Sequence, residues 1–206
     1  MLLCDIGNSY AHFFDGKRVW RESLDQFIDR YCDEKIYFIN VNQSLKDRLK
    51  DIKNWINLEE YIEFKTTYKG LGVDRKVLCL AIKDGVGVDA GSAITVDLMV
   101  KKEHKGGFIL PGFKAYEDAF KEISSILDKG IDFSVNLNSL PKNTKEAISY
   151  GVIKSIVCLI NDIAKGKKIF LTGGDGKKLL PFLENAKYDE KLIFYGMKKI
   201  IKDRLC

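Results

Sequence analysis

The chain has 206 residues, of which 46% are hydrophobic, and this length and composition allow either one large domain or two small ones. Its formal net charge of +5 comes from lysines interleaved with carboxylates, which is typical of a solvated surface, and no motif for nucleic acid is visible. No segment predicts a membrane span, no basic leader precedes the first predicted strand, and the five widely spaced cysteines favour reduced thiols in a cytoplasm.

The first predicted element is a β-hairpin over residues 1–14 with an acidic residue at its neck. An apolar strand leads into Asp5-Ile6-Gly7-Asn8-Ser9, and a second strand-like run follows. Glycine lets the backbone approach a partner closely, and neighbouring backbone amides can bind an anion. The hairpin is therefore a candidate site for a phosphate or a metal ion, and ordinary turn chemistry is the alternative explanation of its Asp-x-Gly pattern.

The rest of the first half predicts strands over residues 36–41 and 61–68 and a helix over residues 43–52. Residues 69–72 form a predicted flexible loop. Residues 75–83 then predict a mostly buried helix that stops at Gly85, which puts Asp74 near a helix N-terminus. An acid in this position can serve as a catalytic base, or it can be an N-cap paired with Arg75.

A second hairpin, predicted over residues 86–97, repeats the sequence pattern of the first. Small and β-branched residues lead into Asp89, a glycine and a serine at positions 91 and 92 make the turn, and an apolar run leads out. The same pattern near the start and near the middle of the chain predicts two related halves that face a shared cleft. We expect one lobe over residues 1–84 and a second over residues 85–206.

The longest predicted helix begins at Thr144 and runs to about residue 165. Asn143 can cap it, and Glu146 three residues later completes a capping box. Gly151 in its interior costs ~1 kcal/mol relative to alanine, so we expect a close neighbour or a ligand there. The other elements predicted in this half are strands over residues 105–112, 169–172 and 191–195, helices over residues 113–127, 177–183 and 197–205, and a glycine-rich turn over residues 173–176.

The two best-known phosphate-binding motifs do not fit the glycine-rich stretches. A P-loop requires a leading glycine and a Ser or Thr after Gly-Lys, whereas Gly176-Lys177 is followed by Lys178. Gly85-x-Gly87-x-x-Ala90 matches a relaxed dinucleotide fingerprint, but an apolar run follows it where that motif requires a helix. Walker-type and dinucleotide-binding chemistry are therefore not predicted.

Two acid-glycine hairpins and a late strand-Thr-Gly-Gly-Asp-Gly turn resemble the superfamily of actin, sugar kinases and heat-shock ATPases. More narrowly, the chain resembles the type III pantothenate kinase family, because the family's motifs occur in the family order over nearly the whole chain. These motifs are Asp5-Ile6-Gly7-Asn8-Ser9, Gly72-Val73-Asp74-Arg75, the run from Asp89 to Asp97, Gly106-Gly107-x-Ile109-x-Pro111-Gly112, Asn143-Thr144, and Thr172-Gly173-Gly174-Asp175.

The resemblance implies an α/β fold of two ribonuclease H-like lobes of the actin-like ATPase type, each a mixed sheet with flanking helices, with a cleft between them. It implies ATP-dependent phosphorylation of pantothenate to 4′-phosphopantothenate, the first step of coenzyme A biosynthesis. The implied cofactors are Mg²⁺ with ATP and a monovalent cation, K⁺ or NH₄⁺. The implied state is a cytoplasmic homodimer that binds neither nucleic acid nor membrane.

The resemblance also implies a role for individual residues. Asp74 would be the catalytic base, Asp89 would bind the monovalent cation, and Thr144 would contact the pantothenate of the neighbouring subunit. The residues implied to hold pantothenate are Tyr68, Gly72, Val73, Asp74 and Arg75. The residues implied to contact ATP are Asp5, Ile6, Gly7, Asn8, Ser9, Tyr10, Ala11, His12, Ser92, Gly173 and Gly174.

Three departures from the family pattern stand out. His12 takes the place of a frequent lysine, Lys142 replaces a frequent arginine, and the loop between Tyr68 and Gly72 is short and lacks a proline. His12 and His104 have no partner at metal-ligand spacing, which favours surface or loop roles for both. The alternative functions are a sugar kinase of the same fold and a non-catalytic ATP-binding transcriptional accessory factor.

Overall fold

Two five-stranded mixed sheets organise the chain in the computed structural model, which describes residues 1–205. The strands are β1 (Leu2–Ile6), β2 (Tyr10–Phe14), β3 (Val19–Ser23), β4 (Ile36–Asn40), β5 (Trp55–Asn57), β6 (Gly85–Ala90), β7 (Ala93–Val100), β8 (Glu103–Pro111), β9 (Ile169–Thr172) and β10 (Ala186–Tyr188). The α-helices are α1 (Phe27–Tyr31), α2 (Lys46–Lys50), α3 (Val73–Leu80), α4 (Phe113–Ile123), α5 (Thr144–Ala164), α6 (Gly176–Leu179) and α7 (Leu192–Arg204).

The two sheets have the same strand arrangement. The first has the order β3-β2-β1-β4-β5, and the second, read from its other edge, has the order β8-β7-β6-β9-β10. In each, the central strand pairs antiparallel with the next strand of its hairpin and parallel with a later strand. The predicted relationship between the halves and the predicted mixed sheets are confirmed by this topology.

The chain separates into two compact units. The first contains residues 1–83, 102–104 and 190–205, and the second contains residues 84–101 and 105–189. The sequence-based boundary after residue 84 lies next to the start of the second unit. That boundary placed the last helix in the second lobe, whereas α7 is grouped with the first unit.

One core cluster of the first unit lies on one face of its sheet, where apolar side chains of β1, β2 and β4 pack with residues of α1 and α2. On the opposite face, Phe14 of β2 stacks on Phe194 of α7 with ring centroids 5.2 Å apart. Helix α7 also approaches α3 closely, because a Cβ at Gly196 would overlap the Val77 backbone carbonyl. These contacts fix α3 within the first unit.

The core of the second unit lies between its sheet and α5. Alternate residues of β6 and β7, including Val86, Val88 and Val96, pack with Ile153 and Ile156 of α5. By length and composition α5 could cross a membrane, contrary to the prediction that no segment could. Its buried stripe belongs to this core, and a core helix has the same composition.

Two of the predicted strands are wrong. The run over residues 61–68 begins at the last residue of a 3₁₀ turn, Leu58–Tyr61, and continues as irregular chain that pairs with no strand of the described sheets. Residues 191–195 belong to the start of α7, because Ile193, Met197 and Ile201 recur at helical spacing and are buried together. Short apolar runs do not distinguish a strand from a buried helix. The last strand is β10, which was not predicted.

The close neighbour expected at Gly151 is not present. Apart from the adjacent residues and the backbone of α5 itself, no heavy atom of the described residues lies within 4 Å of the position where a Cβ would stand. The helix itself is as predicted, since Asn143 accepts a hydrogen bond from the Glu146 backbone N–H at 3.0 Å. This residue pair caps α5, and the interior glycine is tolerated in a helix of 21 residues.

Candidate active site

The first hairpin closes through its backbone. The Gly7 N–H donates to the Tyr10 carbonyl at 3.0 Å, and the three-residue turn between β1 and β2 leaves Asn8 and Ser9 exposed. Asp5 stands just before this turn on the central strand of the sheet and is half-buried. The turn therefore presents backbone amides and polar side chains beside a carboxylate, as the sequence predicted.

A row of polar side chains crosses the first sheet beside this turn. Strand register pairs Asp5 with His12, and His12 with Arg21 of β3, which puts the three on one face. Burial, and then the Arg21 charge, lower the pKa of His12 from its ordinary value of 6.5, so the imidazole is neutral at pH 7. The Arg21 guanidinium lies over the Tyr10 ring at 4.4 Å. Positive charge at this position thus comes from Arg21.

A second polar group of the first unit surrounds the start of α3. Gly72 is the N-cap of α3, so Asp74 lies in the first turn of the helix and the N-cap alternative for Asp74 is wrong. A Cβ at Gly72 would stand 2.5 Å from Asp74 Oδ1, which shows that the carboxylate folds back over this glycine. Val73 is buried in the first turn. A side chain at this cap would therefore displace the Asp74 carboxylate.

Arg75 is only 4% exposed, although it is charged. Its Nη1 donates to the Tyr68 hydroxyl at 3.3 Å, and its guanidinium lies over the Tyr68 ring at 4.8 Å. A buried guanidinium requires partners, because burying an unpaired charge costs several kcal/mol or more. The structure thus brings Tyr68, Gly72, Val73, Asp74 and Arg75 together at one end of α3.

The second hairpin is surrounded by hydroxyl groups. Asp89 pairs with Thr95 of β7 on one side and with Thr172 of β9 on the other, so the three lie on one face of the sheet, opposite α5. Thr95 is 8% exposed, and its Oγ1 has no hydrogen-bond partner among residues 1–205. An orphan buried hydroxyl beside a carboxylate is a polar site that suits a cation.

Two glycines pack directly against the turn of this hairpin. A Cβ at Gly112 would overlap the backbone carbonyls of Gly91 and Ser92, and a Cβ at Gly173 would overlap Asp89 and the Ala90 carbonyl. The Asp175 N–H donates to the Ala90 carbonyl at 2.9 Å. The glycine turn after β9 therefore lies against the end of β6, although these two segments are far apart in the sequence.

The remaining site residues lie at different places in the second unit. Ser92 is exposed in the hairpin turn, and Gly174 is exposed in the turn after β9. Thr144 is the first residue of α5 and is exposed beside its cap, Asn143.

Three residues near these groups were not identified from the sequence. Arg21 was missed because its register opposite His12 depends on the pairing of β2 with β3. His104, expected at the surface or in a loop, is instead buried at the start of β8, and its ring lies near Tyr68. Thr66 hydrogen-bonds to His104. No local pattern marks these residues, because each contact joins distant parts of the chain.

Comparison with known proteins identifies the family. The sequence model of the type III pantothenate kinase family matches residues 40–166. A type III pantothenate kinase of Campylobacter jejuni is 50% identical over 203 residues, which are 98% of this chain and 97% of the relative. A crystal structure from Campylobacter jejuni, described as a conserved candidate Baf family transcriptional activator, has a TM-score of 0.88 with 48% identity and covers 100% of this chain and 99% of that one.

A more distant structure establishes the fold class. A candidate 2-dehydro-3-deoxygalactonokinase from Sinorhizobium meliloti has a TM-score of 0.58 at 10% identity and covers 98% of this chain and 96% of that chain. The predicted α/β fold with two mixed sheets is confirmed by this likeness and by the repeated sheet topology. The family model and the relative that is 50% identical point to the same family. The chain belongs to the type III pantothenate kinase family.

Proposed function

We propose that this protein transfers the γ-phosphoryl group of ATP to the primary hydroxyl of pantothenate and so makes 4′-phosphopantothenate, the first intermediate of coenzyme A synthesis. Membership of the family supports the reaction. The observation that carries it in this chain is the group at the start of α3, where Asp74 lies beside a buried Arg75 that stacks on Tyr68.

Arg75 and Tyr68 supply the contacts that suit pantothenate. Pantothenate carries one carboxylate, and the planar guanidinium of Arg75 can donate two parallel hydrogen bonds to it. The hydrogen bond to the Tyr68 hydroxyl and the position over the Tyr68 ring restrict the orientation of the guanidinium. Gly72 and Val73 complete this part of the proposed substrate site, and Thr144 of a neighbouring subunit is proposed to contact the same substrate in a homodimer.

Asp74 is proposed as the general base. It would accept the proton of the attacking hydroxyl and align that hydroxyl with the γ-phosphorus. The transition state of phosphoryl transfer is loose, so alignment contributes as much as proton removal, and a positioned base is worth typically ~10² to 10⁴-fold in rate. The helix N-terminus beside Asp74 favours its anionic form, which is the form that accepts a proton.

The first hairpin is proposed to bind the phosphates of ATP. Backbone amides between Gly7 and Ser9 can donate to phosphate oxygens, with Ile6, Tyr10, Ala11 and His12 lining the same segment. Asp5 is proposed to hold Mg²⁺ through water, because Mg²⁺ keeps several water ligands. Since His12 is neutral at pH 7, Arg21 supplies the cationic charge in this row.

The second hairpin is proposed to bind a monovalent cation, K⁺ or NH₄⁺, through Asp89. The oxygen atoms of Thr95 and Thr172 flank this carboxylate on the same face of the sheet, and the Thr95 hydroxyl lacks a partner among the described residues. Oxygen donors of this kind suit a hard cation. Ser92, Gly173 and Gly174 are proposed to contact ATP from the turns beside Asp89.

A coupled assay of ADP formation tests the proposed function. We expect ATP consumption by the purified protein only when pantothenate is present, and faster turnover in potassium or ammonium buffer than in sodium buffer. A panel of sugars serves as the control acceptors. Turnover on a sugar but not on pantothenate, or ATP binding without turnover on any alcohol, would contradict the proposal.

Asp74→Asn tests the base. We expect this variant to lose ~10² to 10⁴-fold in kcat because it keeps the shape of the side chain and removes the proton acceptor. Its thermal midpoint should stay close to that of the parent protein. Asp84→Asn is the matched control, since Asp84 is an exposed carboxylate paired with Lys167 in the second unit. Full activity in Asp74→Asn would refute the assignment.

A further inference from the structure

His104 is a buried histidine for which the proposed reaction has no use. It is 6% exposed, at the start of β8, and its ring lies 5.7 Å from that of Phe64 and 6.1 Å from that of Tyr68. Its Nδ1 lies 2.7 Å from Thr66 Oγ1, a short and well-formed hydrogen bond. A buried imidazole with a specific partner is a structural constraint on whatever that partner holds.

The partner of His104 holds the segment that precedes α3. Thr66 Oγ1 also accepts a hydrogen bond from the Tyr68 backbone N–H at 3.0 Å. A hydroxyl oxygen can accept one hydrogen bond and take part in a second, so Thr66 connects His104 to the backbone of Tyr68. Residues 62–72 contain no strand or α-helix, and this side-chain bond orders a chain segment that lacks a regular ladder.

Tyr68 passes this order on to Arg75. The Tyr68 hydroxyl accepts from Arg75 Nη1 at 3.3 Å, and the Tyr68 ring lies under the guanidinium. The connected series is therefore His104, Thr66, Tyr68 and Arg75, and all four belong to the first unit. One end of this series is buried histidine, and the other is the proposed carboxylate-binding group of the substrate site.

We propose that Thr66 and His104 are positioning residues for the substrate, which fix Tyr68 and, through it, orient the Arg75 guanidinium for the carboxylate. This inference rests on the proposed function. Neither residue touches substrate; each reduces the number of conformations that Tyr68 and Arg75 must give up when the substrate binds. Preorganisation of this kind raises affinity without adding a contact to the ligand. The expected signature is therefore a change in substrate KM with little change in kcat.

Thr66→Val is the direct test, because valine keeps the shape of threonine and removes the hydroxyl. We expect the KM for pantothenate to rise about 3- to 10-fold, which corresponds to the loss of a typical hydrogen bond. The KM for ATP should be unchanged and kcat should stay within about 2-fold of the parent value. Thr66→Ser, which retains the hydroxyl, should restore the KM for pantothenate.

Thr67→Val is the matched control, since Thr67 is the exposed next residue of the same segment. Calorimetric titration of pantothenate without ATP measures the affinity independently of turnover, and circular dichroism reports folding. His104→Phe is the second variant, because it keeps an aromatic ring and removes Nδ1. It should raise the KM for pantothenate as Thr66→Val does, which keeps the inference testable if Thr66→Val folds poorly.

The outcomes separate this inference from the proposed function. A parent protein that neither binds nor phosphorylates pantothenate overturns the proposed function and this inference with it. An active parent protein whose Thr66→Val and His104→Phe variants bind pantothenate as tightly as Thr67→Val overturns the inference alone. Equal losses in the KM for ATP, the KM for pantothenate and the thermal midpoint indicate general destabilisation and also overturn it.

Discussion

The two hairpins, β1–β2 and β6–β7, share a backbone plan and differ in what surrounds them. In both, a glycine after the first strand donates its N–H to the first residue of the second strand, at 3.0 Å in each case. In both, an acidic residue precedes the glycine on the central strand of a mixed sheet. The first turn has three residues, and the second has two. Because the backbone plan is common to both, we expect any difference in what the two hairpins bind to come from their neighbours.

The neighbours of the two acids have different charge. Asp5 shares its face of the sheet with His12 and Arg21, whereas Asp89 shares its face with two threonines. A nearby cation favours an anionic ligand such as phosphate, whereas neutral oxygen atoms leave the acid able to hold a cation. We therefore expect the two hairpins to prefer different ligands although they share one topology: the phosphates of MgATP at the first and a monovalent cation at the second.

Of the effects that test this comparison of the hairpins, we expect the largest from substitution of the two acids. Asp5→Asn should lower kcat/KM for MgATP by about 10- to 100-fold, the usual cost of losing a group that orients a metal's ligands. Its half-maximal potassium concentration should not change. Asp89→Asn should instead raise that potassium concentration by about 10-fold or more. Rate measurements over a matrix of MgATP and potassium concentrations distinguish the two.

One outcome would contradict separate roles for Asp5 and Asp89. If both variants change the MgATP response and the potassium response by the same factors, the two acids serve one function and the division between the hairpins is wrong. Asp189→Asn is not a suitable control, because Asp189 is half-buried and has contacts of its own beside β9. Asp51→Asn, at an exposed position after α2, serves better.

The second prediction concerns stability and the packing behind each turn. Gly112 has φ −69°, so Gly112→Ala adds no backbone strain, but its Cβ would overlap the carbonyls of Gly91 and Ser92. Backbone atoms cannot move aside as a flexible side chain can. We expect the free energy of unfolding to fall by about 1–3 kcal/mol, as for other overpacked sites.

Gly7→Ala is the counterpart in the first hairpin. Its Cβ would stand 3.3 Å from the Tyr10 carbonyl, a tight but tolerable distance, and we expect a change within about 0.5 kcal/mol. Urea denaturation of both variants measures the two values under the same conditions. An equal loss of stability would mean that the first turn is as closely packed as the second.

The smallest expected effect concerns Arg21. Arg21→Gln should raise the KM for ATP by about 2- to 5-fold, because an exposed charge contributes a fraction of a kcal/mol to about 1 kcal/mol. It should also raise the pKa of His12 towards 6.5, since the Arg21 charge is the second cause of its depression after burial. Arg18→Gln, in the exposed turn before β3, is the control.

The pH dependence of stability follows from the protonation of His12. The folded-state pKa of His12 lies below its unfolded value, so the unfolded chain binds more protons as the pH falls through 6.5. Stability from His12 is complete above 6.5 and decreases as the pH falls below that value towards the folded pKa. The decrease should be smaller in Arg21→Gln. Histidine resonances followed by NMR, together with urea midpoints across this range, check both; an unchanged His12 pKa would show that Arg21 does not influence it.

Much of the candidate site was visible in the sequence because it depends on local chemistry. Asp5-x-Gly7 and Asp89-x-Gly91 predicted their turns from residues within four positions of each other, and Asn143 predicted the start of α5 in the same way. Asp74 was placed near a helix N-terminus, and α3 begins one residue before it. Errors arose where a short apolar run had no local signal, as at residues 191–195.

Turns, caps and apolar periodicity are set by neighbouring residues, so most local elements and the order of the motifs could be predicted from the residues alone. Which residues share a face or a contact depends on the tertiary structure. The pairing of β2 with β3 brings Arg21 to His12, and the start of β8 brings His104 to Thr66. Contacts of this kind depend on strand register and on packing between distant segments, and neither leaves a mark on the residues next to them in the chain.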